Sequence, residues 1–282
     1  MDFNSIVFPR PNLDFSIISL FKDELIFIPK FKDKVEYIPC LFLRDPKNDT
    51  NNFIIMFHGN AEDIFGAKEM GDSLCYKFQM NVIIVEYPGY SIYNSEANSE
   101  DILSNTTIVY DFIKGKFKLS DKNIFIFGRS IGTAPAIYLA SVRKPNALFV
   151  VSAFTSIKSV ADNLVGILKI LVKERLTSIE YIKKVKCPIL FIHGQSDTLI
   201  PFKETILLKD NCDCPFEVVL PINMTHNDFD IDDDIIEPIN KFMYRHCNID
   251  KTESFFDENL ISELYKMPKM IKMYIQDKYK NS

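Results

Sequence analysis

Short apolar runs recur along the chain at intervals that suit a parallel sheet. "FIIMF" (53–57), "NVIIVEY" (81–87), "NIFIF" (123–127), "ALFVV" (147–151), "PILFI" (188–192) and "FEVVL" (216–220) are rich in β-branched or aromatic residues and bounded by Gly, Pro or polar positions. Runs that are apolar at successive positions, rather than at alternate ones, describe strands buried on both faces. The stretches between them, at 61–79, 96–117, 131–143 and 203–210, are long enough for crossover helices. Upstream, "ELIFIPK" and "VEYIPCLFLRD" read as antiparallel strands leading into the sheet. Alternation of this kind predicts an α/β fold, a mostly parallel central sheet flanked by helices, in one domain over residues 1–247.

Two segments interrupt the rhythm. Residues 152–186 are an excursion between two strands, with Leu164, Ile167, Leu168, Leu171 and Val172 at helical spacing. The excursion reads either as a short helical cap over one edge of the sheet or as a helix packed on it. Residues 248–282 form a tail expected to be helical, acidic first and then basic. Its lysines at 269, 272, 278 and 280 interleave with Met270, Ile271, Met273, Tyr274 and Ile275. A terminal helix packed on its own domain is favoured there over a membrane-surface helix.

Composition narrows the function classes. A net charge of −5 argues against a nucleic-acid partner. No apolar run approaches the roughly 18 residues of a membrane span. The opening "MDFNSIVFPRPN" has no basic region followed by an apolar stretch, so it is not read as a signal peptide and a cytoplasmic location is expected. In that setting the six cysteines are expected to be reduced thiols. Cys212-Asp213-Cys214 has the look of half a metal site, but no second ligand pair at suitable spacing follows it. No metal or organic cofactor is expected.

The segment "NIFIFGRSIGTAPAIYLA" (123–140) carries the candidate chemistry. A strand that feeds a helix through one sharp turn holds a serine clear of the sheet edge, and the crowded turn needs almost no side chain two residues before and two after it. Gly128 and Gly132 fit that need around Ser130. Of the four histidines, His58 and His193 end apolar runs as His-Gly, and His246 falls in a late helical stretch. His226, in the polar loop "PINMTHNDFD" after the last strand, is the base candidate by elimination and position. Asp197 follows the strand "PILFI" and is the favoured acid; Asp228 and Asp230 are weaker rivals, being too close to His226 in sequence for good geometry. Backbone N–H groups should stabilise a developing oxyanion. Ile131, just after the serine, supplies one; the loop after "FIIMF" supplies the other, from Asn60 or its neighbour Ala61.

"FHGNAED", "VEYPGYS", "IFGRSIGTAPA", "ILFIHGQSDTLIPF" and "THNDFD" together resemble successive signature segments of the α/β-hydrolase-domain-containing protein 17 family, over about residues 50–245. The resemblance implies the α/β-hydrolase fold, whose catalytic residues run in the order Ser, Asp, His. It places Ser130, Asp197 and His226 on the family's triad positions. It also implies a serine hydrolase that removes palmitate from cysteines of membrane-associated proteins.

One departure stands out. That family reaches membranes through a palmitoylated N-terminal cysteine cluster, whereas here the first cysteine is Cys40, inside a predicted strand. Residue 2 is Asp, which does not serve N-myristoylation, and no C-terminal prenylation box is present. Either the membrane route differs or the substrate does not sit on a membrane. The expected substrate is an S-acylated protein or a small acyl ester, with peripheral membrane contact left open. A carboxylesterase or monoacylglycerol-type lipase is the nearest alternative, and a non-catalytic binding protein on the same fold is the alternative of another class.

Overall fold

The computed structural model describes residues 17–31, 36–45, 47, 50–164, 176–249 and 256–281. In chain order the elements are α1 (Ile17–Leu20), β1 (Leu25–Pro29), β2 (Tyr37–Leu43), β3 (Phe53–Phe57), α2 (Lys68–Phe78), β4 (Asn81–Val85), α3 (Ser99–Lys116), β5 (Ile124–Arg129), α4 (Thr133–Val142), β6 (Ala147–Val151), α5 (Ile157–Leu164), α6 (Ser178–Ile182), β7 (Ile189–Ile192), α7 (Lys203–Asp210), β8 (Phe216–Val219), α8 (Glu237–His246), α9 (Glu258–Leu264) and α10 (Lys269–Asn281).

These strands form one eight-stranded sheet in the order β1-β2-β4-β3-β5-β6-β7-β8. β1 and β2 pair antiparallel, β2 pairs antiparallel with β4, and every later pairing is parallel. Because side chains alternate across a strand, each run serves two cores at once. Ile55, Ile83, Ile126, Val150 and Phe191 lie on one face, which α3, α4, α6 and α9 cover. Ile54, Ile84, Phe127, Phe149 and Leu190 lie on the other, covered by α2, α8 and α10. All five residues of β3, β4 and β6 are buried, which explains why their sequences show no polar alternation. β8 is the edge strand and is less buried; its Glu217 points to α8, where it pairs with Arg245 and His246.

The element bounds differ from expectation in two places with a clear cause. The helix expected from residue 61 starts only at Lys68, because the Asp63 carboxylate accepts hydrogen bonds from the Phe65 and Gly66 N–H groups and holds that stretch as a turn. The fifth strand continues past Phe127 through Gly128 and Arg129, pairing with Val150 and Val151, so Ser130 follows the strand directly.

In the tail, Ile275 of α10 is buried and Ile271 and Tyr274 pack against the same core, leaving Met270 and Met273 outward. Residues 165–175, on which the choice between a cap and a packed helix depends, lie outside the described residues, as does the Leu164 side chain. The start of that excursion is anchored: one Glu204 carboxylate oxygen on α7 accepts from the Thr155 N–H, the Thr155 hydroxyl and the Ser159 hydroxyl.

Candidate active site

The parallel strands all end at one edge of the sheet, and the loops that leave β3, β5, β7 and β8 there carry every candidate residue. Ser130 sits at the turn from β5 into a short 3₁₀ segment, Ser130–Gly132, that opens α4. Its φ of 52° is left-handed, a strained choice for a residue with a side chain and the usual backbone of a nucleophile elbow. The flanking glycines are required by contact. A β-carbon on Gly128 would stand 2.4 Å from the Gly132 carbonyl oxygen, and one on Gly132 would stand 2.2 Å from the Phe57 carbonyl oxygen. The second closeness is what lays the turn against the end of β3, where the loop carrying Asn60 begins.

Ser130 Oγ lies 2.9 Å from His226 Nε2, and His226 Nδ1 lies 2.8 Å from Asp197 Oδ2. All three side chains are buried. The chemistry settles the tautomer. An ionised carboxylate only accepts, so Nδ1 carries the proton and Nε2 is left to accept the serine hydroxyl proton. Burial alone would raise the Asp197 pKa. Hydrogen bonds from His193, His226 and the Ile200 N–H outweigh that and hold the carboxyl well below the usual range. Its other oxygen, Oδ1, accepts the N–H groups of Leu199 and Ile200 at 3.0 and 2.8 Å, which fixes the carboxylate plane. Asp228 and Asp230, the rival acids, are not at the imidazole: the Asp228 N–H and C=O bond Thr225, and Asp230 caps the turn at Asp233.

The loop after β3 is held from below by a buried pair, His58 at the end of its apolar run and Glu86, which the sequence did not single out. His58 and Glu86 are both fully buried, 3.1 Å apart. His58 Nδ1 lies 2.9 Å from the Gly59 carbonyl oxygen, which only accepts, so Nδ1 carries a proton, while Nε2 faces Glu86. Burial opposes a charge on the ring, but the hydrogen bond and the negative charge of Glu86 prevail and raise the His58 pKa. In a trans peptide the carbonyl and the following N–H point opposite ways. Drawing the Gly59 carbonyl down onto His58 therefore turns the Asn60 N–H the other way. Tyr90 adds a second restraint, its hydroxyl donating to Asn60 Oδ1 at 2.7 Å. Ile131, at the opening of the 3₁₀ segment, has its N–H at a helix start, where partial positive charge collects.

Arg129 joins these parts and was not singled out from sequence. Its guanidinium donates to the His226 carbonyl at 2.9 Å and to Asn227 Oδ1 at 3.0 Å. It also lies 3.4 Å from Glu62 Oε1, the oxygen that accepts the Gly59 N–H. Phe229 stacks beneath it, 5.3 Å from ring centre to guanidinium carbon. One side chain, next in sequence to Ser130, thus ties the histidine loop and the Asn60 loop to the serine's strand. The only sequence signal for it was its place beside the serine. Arg129→Ala is expected to lower kcat on an activated ester by about 10²-fold through misplacement of the imidazole, with KM nearly unchanged. Steady-state kinetics with a matched thermal melt checks this; an equal loss through KM would contradict it.

This constellation can move a proton from a serine hydroxyl to an imidazole held by a carboxylate. Known proteins with related sequences or structures agree with the architecture. No family model matches the chain. It is 28% identical over 207 residues to the α/β-hydrolase-domain-containing protein aho-3 of Caenorhabditis elegans, covering 73% of this chain and 61% of that one. It is 25% identical over 230 residues to human α/β-hydrolase-domain-containing protein 17B, covering 82% and 79%. Among solved structures, an esterase of Pyrococcus furiosus superposes with a TM-score of 0.65 at 16% identity, covering 85% of this chain and 98% of that one. The chain is an α/β hydrolase by fold. Its likeness to the protein 17 group extends over most of its length.

Proposed function

We propose that this α/β hydrolase is a serine hydrolase that cleaves acyl thioesters or esters through an acyl-enzyme, with an S-palmitoyl protein as substrate. The observation that carries the reading is the relay of 2.9 and 2.8 Å from Ser130 through His226 to Asp197. Ser130 Oγ attacks the acyl carbonyl while His226 Nε2 takes its proton, and Asp197 stabilises the imidazolium. The N–H groups of Ile131 and Asn60 receive the oxyanion. The thiol or alcohol leaves with the proton from His226, and water then repeats the sequence to release the acid. The palmitoyl substrate is supported by the likeness to the protein 17 group. A cytoplasmic setting is part of this proposal; among the described residues no helix is long and apolar enough to cross a membrane.

A carboxylesterase is the second reading, favoured by the structural likeness to the Pyrococcus furiosus esterase. Matched thioesters and oxygen esters from acetyl to palmitoyl, run against a Ser130→Ala background, separate the two. The expected result is a rate that rises with chain length and favours the thioester. A preference for short oxygen esters would keep the relay and replace the substrate. Failure of folded protein to react with a fluorophosphonate at Ser130 would overturn the hydrolase reading and favour a non-catalytic binding protein.

A further inference from the structure

Far from the relay, at the opposite end of the sheet, the turn between α7 and β8 carries Cys212-Asp213-Cys214. The two sulfurs lie 3.1 Å apart, within hydrogen-bonding reach, and Cys212 Sγ also lies 3.7 Å from the Cys214 carbonyl oxygen. They differ in exposure: Cys212 is half-buried and open to solvent, whereas Cys214 is buried beneath it. They also differ in acidity. The hydrogen bond shared with Cys214 brings the Cys212 thiol down to about 7 against the opposing effect of burial. The same contact, with burial, pushes Cys214 upward. The other cysteines lack this arrangement. Burial holds Cys40 up and pushes Cys75, Cys187 and Cys247 to about 12. Among the described residues no group of three or more His, Cys, Asp or Glu is placed to hold a metal ion, so the pair is not argued as a metal site.

An accessible, readily ionised thiol in contact with a second thiol is the arrangement that reacts with peroxides and then closes on itself. We propose that Cys212 and Cys214 form a hydroperoxide-reactive dithiol, a modification site separate from the hydrolase centre. The Cys212 thiolate attacks one oxygen of the hydroperoxide. An S–O bond forms, the O–O bond breaks, and the second oxygen leaves and takes up a proton as water or an alcohol. Cys212 is thereby oxidised to the sulfenic acid. Cys214 then attacks that sulfur, the S–O bond breaks, and hydroxide leaves with the Cys214 proton as a second molecule of water. Two thiols and one hydroperoxide give one disulfide, one water and one further water or alcohol. The ring closed across a single intervening residue is small, which makes the bond readily reduced by a dithiol.

The test uses the full chain and hydrogen peroxide near stoichiometric amounts, followed by denaturing alkylation, intact mass and a peptide map. The expected product takes up four alkyl groups where the untreated protein, with its six cysteines, takes up six. The peptide holding Cys212 and Cys214 is then lighter by two hydrogens and regains both groups after reduction. Cys212→Ser is expected to abolish the reaction. Cys214→Ser is expected to stop at a sulfenic acid on Cys212 that dimedone traps, and ester hydrolysis by both variants stays at the parent rate. Uptake of six alkyl groups after peroxide would overturn the proposal. So would a disulfide from Cys212 to Cys187, or oxidation confined to other cysteines. Should a serine variant fail to fold, the peptide map of the parent protein still decides.

Discussion

Ser130→Ala is expected to lower kcat by about 10⁶-fold while the protein stays folded. The side chain is buried and its Oγ meets His226 Nε2, so removing one oxygen deletes the nucleophile and leaves a methyl group in a site that already accommodates a β-carbon. The backbone at this position is left-handed whichever of the two residues occupies it, so the substitution adds no strain of its own. On the proposed mechanism a residual rate is expected from the Asn60 and Ile131 N–H groups acting on a water-attacked carbonyl. The measurement is hydrolysis of a chromogenic ester together with intact mass of the acylated protein under quench. Retention of activity in the alanine variant, or an acyl group mapped to another residue, would remove Ser130 from the mechanism.

Asp197→Asn is expected to cost about 10⁴-fold in kcat with little change in the fold. Oδ1 of Asp197 is committed to the Leu199 and Ile200 N–H groups, so an asparagine keeps its carbonyl oxygen there and turns its NH₂ toward His226. That NH₂ donates to Nδ1, which displaces the ring proton to Nε2, where it blocks acceptance from Ser130. The loss is one of tautomer rather than of shape. Labelling of Ser130 by a fluorophosphonate should slow in step with kcat, and a rate near the parent's would refute the assignment of the acid. Acid titration gives a second view of the same group. Asp197 ionises below the ordinary 3.8, so its stabilising contribution is complete above about pH 4 and is lost as the pH falls further. The asparagine variant should lack that part of the acid unfolding curve.

The central strands were legible because burial on both faces leaves only apolar residues in them, and five-residue runs such as "FIIMF" admit few other readings. The order of serine, aspartate and histidine could be read as well, since each follows a strand that ends at the same edge. His226 emerged because the chain has only four histidines and the others lie at strand ends or in a helix. Partners across the sheet were not legible. Glu86 reaches His58 from the neighbouring strand, and nothing local to either residue announces the other. Arg129 faced the same difficulty: its acceptors Glu62, His226 and Asn227 come from two distant loops, and an arginine beside the nucleophile carries no periodic signal. The late start of α2 depended on an Asp63 turn bond that competes with helix formation, a local choice that apolar spacing does not reveal.

The sheet order has a consequence for how the molecule comes into being. Its reactive centre draws on loops spread from residue 60 to residue 226, joined through β3, β5, β7 and β8 by parallel pairings. Parallel pairing closes long loops before any contact repays them, so folding of such a topology is slow relative to helical proteins of equal size. No fragment ending before the last strand can hold even a weakened version of the centre. On a ribosome, the nascent chain would stay inert until β8 and the loop after it had emerged and docked. Recovery of fluorophosphonate reactivity during refolding would therefore report the docking of β8 and the loop that carries His226, rather than the pairing of the earlier strands.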